Sequence, residues 1–158
     1  MISLDSPNQN INPELVDRIA RNIFAALPLL RKRLLHMDTI QAEHGIPLSH
    51  VQVLSMLSET GSMSVSEISR RLGIAKPNIT PLVDRLIEVG LVDRQRDTVD
   101  RRVVNVVIMP EGEEKLKAIH NTIVQQVQEW GHDVPAGDFA ELSDALITIT
   151  RVLNVGQQ

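Results

Sequence analysis

Apolar residues recur along this chain at two different periods, and the change of period divides it. Asn12-Pro13-Glu14 has the makings of a helix start: an N-cap residue, a proline at the first helical position and an early acid. Leu15, Ile19, Ile23, Leu27, Leu30 and Leu34 then follow at helical spacing and form one stripe on a long helix. Pro28 falls inside it and is expected to kink it, and Gly45 and Pro47 are expected to end it. Ser49 can cap a second helix, with Val51, Val53, Leu54 and Leu57 as its apolar positions and Gly61-Ser62 closing it. Ser64-Val65-Ser66-Glu67 starts a short third helix that ends near Gly73. A fourth runs from about Lys76 to Val89 and stops at Gly90, a residue suited to the left-handed position after a helix.

The period then shortens. Leu91 to Arg94 and Arg102 to Ile108 are β-branched and strand-like, and the polar run Asp97-Thr98-Val99-Asp100 lies between them. That is a hairpin with a charged tip. Pro110 restarts helix, with Leu116, Ile119, Ile123, Val127 and Trp130 at helical spacing. Gly131 to Gly137 reads as a turn, and Asp138-Phe139-Ala140-Glu141 as a capping-box-like start. Phe139, Leu142, Leu146, Ile149 and Leu153 continue from it, a seam like that of a coiled coil. The sequence thus predicts a mainly α chain with a small β-hairpin wing, an α+β fold. Its expected segments are an N-terminal helix over 11–46, a winged helix-turn-helix over 47–109 and C-terminal helices over 110–155.

The run from Val65 to Leu82, VSEISRRLGIAKPNITPL, carries the helix-turn-helix. Ile68 faces the core from the first helix, and Ser69 is small where the second helix must cross. Leu72 is apolar one turn on, Gly73 can reverse the chain with positive φ, and Ile74 plugs the turn. Ile79, Leu82, Val83 and Leu86 supply the inward positions of the second helix.

Charge changes this picture from a fold to an interface. The net charge is −4, which by itself argues against a polyanionic partner. Yet residues 61–110 hold 8 basic and 6 acidic side chains, a balance of +2, whereas 111–158 hold 3 and 8, a balance of −5. Half of all Lys and Arg therefore lies around the helix-turn-helix and hairpin, the electrostatic footprint of a nucleic-acid-binding face. Composition narrows the rest. There is no cysteine, which excludes a disulfide framework, thiol redox sensing and a thiolate metal site. The N-terminus lacks the features of a secretory signal and no apolar run approaches a membrane span, so the expected location is cytoplasmic and no membrane partner is expected.

In such a fold the second helix enters the major groove of double-stranded DNA by its N-terminal half. Lys76, Pro77, Asn78, Thr80 and Pro81 face away from the plug. Asn78 can read adenine or hold a phosphate, Thr80 can bond a phosphate or touch a thymine methyl, and Lys76 suits a phosphate. The same side chains could instead cap the helix. Ser64 and Arg85 complete the candidates on the helices. Arg94, Arg96, Arg101 and Arg102 flank the hairpin tip, where an arginine can enter a narrow minor groove. Asp97 and Asp100 are expected to orient these arginines.

The stretches LSHVQVLSML, SEISRRLGI, KPNITPLVDRLIEVGLVDR and RDTVDRR, between Leu48 and Gly112, resemble the MarR (multiple antibiotic resistance regulator) family of winged helix-turn-helix transcription regulators. The Asp-x-x-Asp-Arg-Arg tip after a Gly-Leu-Val-x-Arg strand is the most specific part. The resemblance implies a homodimer joined through its N- and C-terminal helices. It implies binding to a pseudo-palindromic operator, usually as a repressor, and for many members release by a small phenolic or other anionic effector. It places Asn78 and Thr80 where the family contacts bases and phosphates, and Arg101 where its wing arginine enters the minor groove. Three departures stand out. Pro81 occupies a position where an arginine is common, and the helix could then begin effectively at Thr80-Pro81. Met109-Pro110 replaces the usual Leu-Thr, so the Thr cap is absent. The lack of cysteine excludes the family's peroxide-sensing branch.

Rival readings have less to stand on. No nucleophile elbow, HExxH motif, P-loop or cysteine nucleophile is present, and no cofactor or enzymatic activity is expected. Ser49-His50 and His132-Asp133 are adjacent pairs without a third partner. His36, Glu43, His44, His50 and His120 raise the alternative of a zinc-dependent regulator of the same fold, but their spacing matches no standard ligand motif. A winged helix used only for protein contacts is the other alternative. With Phe24, Trp130 and Phe139 the only aromatic residues, an effector pocket would be aliphatic, and Arg18, Arg21, Arg31 and Arg33 are its candidate cations.

Overall fold

A computed structural model describes residues 11–33 and 37–154. Leu34, the last position of the first stripe, and His36 lie outside them. The elements are α1 (Pro13–Arg33), α2 (Met37–His44), α3 (Leu48–Thr60), β1 (Ser62–Ser64), α4 (Val65–Leu72), α5 (Lys76–Glu88), β2 (Val92–Arg96), β3 (Val104–Ile108), α6 (Pro110–Gly131) and α7 (Ala136–Leu153). The chain divides into two units at His36–Met37. A single first helix is expected up to Gly45; the described residues of that stretch hold α1 and α2.

α1 starts as its sequence predicts, with the Glu14 N–H donating to Asn12 Oδ1 at 2.9 Å. It continues through Pro28 to Arg33. None of its residues is buried, and Ile19, Ile23, Phe24 and Leu27 are all exposed.

In the second unit the core gathers side chains from α2 to α6 and from the three strands. Leu54 and Leu57 of α3, Ile68 of α4, Ile79, Val83 and Leu86 of α5, Val92 and Val106 of the strands and Ile119 of α6 are closed to solvent or nearly so, with Ile40 of α2 beside them. Each such side chain contributes about 1.5–3 kcal/mol when withdrawn from water. The positions expected to point inward from the helix-turn-helix therefore do so, and they fix the angle of its second helix.

The sheet has three antiparallel strands in the order β1-β3-β2, one more than the hairpin predicted. β1 pairs Met63 with Val106, and Met63 is buried. The hairpin itself pairs Val92 with Ile108 and Arg96 with Val104, so β2 runs two residues further than expected. Arg101 and Arg102 belong to its turn and not to the returning strand.

Two helix starts differ from expectation, and at a third, that of α5, the expected start holds against its alternative. Pro47, extended at φ −68° and ψ 161°, stands at the start of α3, and Ser49 lies inside the first turn without capping it. α5 begins at Lys76 and passes through Pro81, so no later start at Thr80-Pro81 occurs. α7 begins at Ala136, after Pro135, and Asp138 sits within its first turn with no cap bond. Proline sets the extended geometry before a helix without needing a side-chain oxygen, which explains the first and third.

Candidate nucleic-acid interface

The turn between α4 and α5 is built from local signals that all agree. Ser64 Oγ accepts the Glu67 N–H at 3.2 Å and caps α4. Gly73 adopts the left-handed conformation at φ 64° and ψ 25° that ends it. The Ile74 N–H donates to the Ser69 carbonyl at 3.2 Å, and Ser69 Oγ donates to the Ile74 carbonyl at 2.6 Å. Ser69 is thus small enough for the crossing and also closes the turn. At the far end of α5, the N–H groups of Gly90 and Leu91 return to the carbonyls of Ile87 and Leu86, both at 2.9 Å. That double bond pattern, with Leu86 and Leu91 both buried, sets the direction in which β2 leaves.

These constraints present one face of α5 to solvent. Lys76, Pro77, Asn78 and Pro81 are exposed, and Thr80 is half-buried with its hydroxyl donating to the Lys76 carbonyl at 3.2 Å. Of the candidate side chains, Ser64 and Thr80 are therefore occupied by the backbone of their own helices. Arg85 is occupied too, by Glu88 one turn on.

The wing divides its arginines. Arg94 reaches back to α5, where Nη2 donates to Asp84 Oδ1 at 2.7 Å. Arg96, Arg101 and Arg102 are exposed and, among the described residues, have no carboxylate in ion-pairing range. The tip acids do not orient guanidinium groups as expected; they grip backbone. Asp97 Oδ1 accepts the N–H groups of Val99 and Asp100 at 2.8 and 2.9 Å. Its Oδ2 accepts from Asn105 Nδ2 at 3.3 Å, and Asp100 Oδ1 accepts the Arg102 N–H at 3.0 Å. The N–H of Asp100, then that of Val99, holds the Asp97 carboxyl below the usual range against an opposing effect of burial, and Asn105 adds a lesser contribution in the same downward direction. Carboxylates bind backbone donors here because the turn offers several at short range, whereas a flexible guanidinium would have to be immobilised.

Other histidine and acid candidates are drawn into packing. His44 Nε2 lies 2.8 Å from Thr122 Oγ1, and Thr122 also reaches Glu43 at 3.4 Å. Among the described residues no group of three or more His, Asp or Glu side chains is arranged to hold a metal ion. His50 sits at the start of α3 with Ser49 Oγ 3.3 Å from its Nδ1. Burial, and secondly the positive charge of Arg85, push its pKa down. Two residues of this region went unrecognised in the sequence, Asp84 as the partner of Arg94 and Gly112 as the close approach of α6 to Leu91 and to Ile108 of β3. Asp84 could have been noticed as an acid on the outer face of a helix in a basic stretch. Gly112 had no signal of its own.

Among the described residues, no helix is long and apolar enough to cross a membrane. The MarR family model matches residues 46–104. Over 96 residues the chain is 34% identical to the HTH-type transcriptional regulator YsmB of Bacillus subtilis, covering 61% of this chain and 60% of that one. Over 77 residues it is 32% identical to the HTH-type transcriptional repressor MdtR of the same organism, covering 49% and 50%. The chain thus spans about half to three fifths of the length of these two relatives. A MarR family protein from Bacillus stearothermophilus superposes with a TM-score of 0.73 at 21% identity, over 92% of this chain and 99% of that one. Apo MarR from E. coli does so with a TM-score of 0.66 at 20% identity, over 90% and 98%. The solved structures share this fold, and the MarR family model covers the helix-turn-helix and most of the wing, residues 46–104.

Proposed function

We propose that the chain is a homodimeric, sequence-specific DNA-binding transcription regulator acting as a repressor. The observation that carries this reading is the pairing of an exposed N-terminal half of α5 with a wing whose Arg96, Arg101 and Arg102 are exposed and unpaired among the described residues. A helix of this kind fits the major groove, and an arginine at a wing tip fits the minor groove. Lys76, Pro77, Asn78 and Pro81 then face bases and phosphates, Arg101 enters the minor groove, and Arg96 and Arg102 meet the backbone. Ser64, Thr80, Arg85 and Arg94 contribute by holding these elements in place. The repressor names of relatives such as MdtR support the sign of regulation.

Dimerisation is supported by unpartnered apolar side chains. α7 exposes Phe139, Leu146, Ile147, Ile149, Val152 and Leu153, more than a monomer ordinarily leaves in water. α1 exposes a stripe of its own. A two-fold dimer would cover such faces and would match a pseudo-palindromic operator. Release by a small anionic effector is supported by a groove of about 430 Å³ between α3 and α6, where Val51, Leu116, Ile119 and Ile123 make an aliphatic floor beside Lys117 and His120.

Selection from a random duplex library followed by titration at several salt concentrations tests the reading. The selected duplex should bind far more tightly than a scrambled one. Arg101→Ala should cost about 1–3 kcal/mol and lower the salt slope by about 1. Equal affinity for selected and scrambled duplexes would sink the proposal.

A further inference from the structure

The first turn of α5 is poor in free backbone donors, and this bears on what it can read. Pro77 has no N–H. The Asn78 N–H returns to the Ala75 carbonyl at 2.8 Å. A helix start ordinarily points such a group at a phosphate; here it is spent locally.

Acceptors are treated in the opposite way. Pro81 also lacks an N–H, so the Pro77 carbonyl loses the donor that a regular helix brings it four residues later. The Pro81 ring also crowds that carbonyl. Pro77 and Pro81 lie one turn apart, and both are exposed together with Asn78. The face therefore carries a carbonyl without its helical donor, an amide and two apolar rings, together with the exposed Lys76. No guanidinium stands among them, since Arg85 lies further along and is occupied by Glu88.

We propose that Pro77 and Pro81 determine specificity: the Pro77 carbonyl accepts from an exocyclic amino group in the major groove, and the Pro81 ring packs on a thymine methyl. The inference rests on the DNA-binding reading above. Amino groups in that groove belong to adenine N6 and cytosine N4, whereas guanine offers the acceptors O6 and N7. A guanine would oppose acceptor to acceptor and is rejected at this position. One A·T pair supplies both the amino group and the methyl, so it is the preferred partner.

The test uses the full chain, wild type and Pro81→Ala, in parallel selections from a random duplex library. Alanine restores the N–H and the helix bond to the Pro77 carbonyl, and it favours the helical state, so the variant folds. Wild type should enrich adenine or cytosine over guanine at one position of each half-site by about three- to tenfold, the worth of one hydrogen bond. Pro81→Ala should bring that ratio close to even. Purine in place of adenine, or 2-pyrimidinone in place of cytosine, removes the donor and should weaken wild type by a similar factor. Uracil in place of the paired thymine removes the methyl and should weaken wild type about fourfold but leave Pro81→Ala indifferent. A wild-type preference for guanine there, or an amino preference that Pro81→Ala keeps intact, overturns the inference alone. No enrichment of any sequence by wild type overturns the DNA-binding reading and this inference with it.

Discussion

Arg94 and Asp84 join the wing to the second helix of the helix-turn-helix: Arg94 Nη2 on β2 donates to Asp84 Oδ1 on α5 at 2.7 Å. Both side chains remain substantially exposed, at 39% and 54%. A pair so placed is worth only about 0–1 kcal/mol of fold stability. Its effect is on angle, because α5 and the wing would each meet a different groove of the same duplex.

If Arg94 is a brace, removing either partner has the same consequence. Asp84→Asn and Arg94→Ala should each leave the unfolding free energy within about 1 kcal/mol of wild type. Both should weaken binding to a selected duplex, and the double variant should be no worse than the more damaging single one. A double-mutant cycle on duplex affinity measures this coupling. If Arg94 touches phosphate instead, Arg94→Ala alone will lower the salt slope, by about 1, and Asp84→Asn will strengthen binding by freeing the guanidinium.

The wing tip depends on Asp97 in a way that separates geometry from charge. Asp97→Ala removes the acceptor of the Val99 and Asp100 N–H groups, so those amides should exchange with solvent faster and duplex affinity should fall. Asp97→Asn keeps an oxygen for both but not the charge, so it should loosen the turn less than Asp97→Ala does. Its carboxyl is held below the usual range in the folded state, so the order it confers is present above the ordinary Asp value and is lost as pH falls through the lowered one. Amide exchange of Val99 and Asp100 followed into acid checks this; a wing that keeps its protection in Asp97→Ala would show that the carboxylate does not hold the turn.

Much of this fold was legible in the sequence because its signals were local. Ser64 and Gly73 bracket α4 and need only their own neighbours to act, and the double bond pattern at Gly90 likewise follows from one glycine after a helix. The strand β1 was not legible, since three residues with a single inward side chain, Met63, show no measurable period and their partner strand lies some forty residues on. The start of α3 was misplaced because two adequate signals, Pro47 and Ser49, stand two residues apart, and the extended geometry at Pro47 prevailed. In the candidate site, the outward set on α5 followed from helical phase. The division of arginines into paired and unpaired did not. Arg94 meets Asp84 only because of the angle at which β2 leaves α5, and that angle is a tertiary quantity.

His50 should make folding stability depend on pH. Its pKa is lowered first by burial and then by Arg85, so the folded chain resists protonation that the unfolded chain accepts. Below the ordinary histidine value of about 6.5, the unfolded state therefore binds more protons, and stability falls as pH falls. Above that value the contribution is complete. Urea midpoints measured from pH 7.5 to pH 5 should show a steeper decline for wild type than for His50→Gln, and Arg85→Gln should lie between them. Parallel curves for wild type and His50→Gln would assign the decline to other groups.

Two helical glycines should respond to alanine in opposite directions. Gly112 is buried in the first turn of α6, and a Cβ there would sit 2.2 Å from the Leu91 carbonyl oxygen and 2.8 Å from Ile108 Cγ1. The first obstacle is backbone at the entry to β2, already accepting the Met109 N–H at 3.0 Å, so it cannot turn aside cheaply. Gly137, in the first turn of α7, is exposed and has nothing within 4 Å of its notional Cβ. Alanine in a helix ordinarily gains about 0.5–1 kcal/mol over glycine. That gain should appear in Gly137→Ala. In Gly112→Ala it should be outweighed by the overpacking, which typically costs about 1–3 kcal/mol, and the strain should reach the wing because Leu91 leads directly into β2. Chemical denaturation of the two variants decides the matter: a Gly112→Ala chain as stable as wild type would mean that α6 can draw away from the sheet, and the close approach of Gly112 to Leu91 would then not fix the base of the wing.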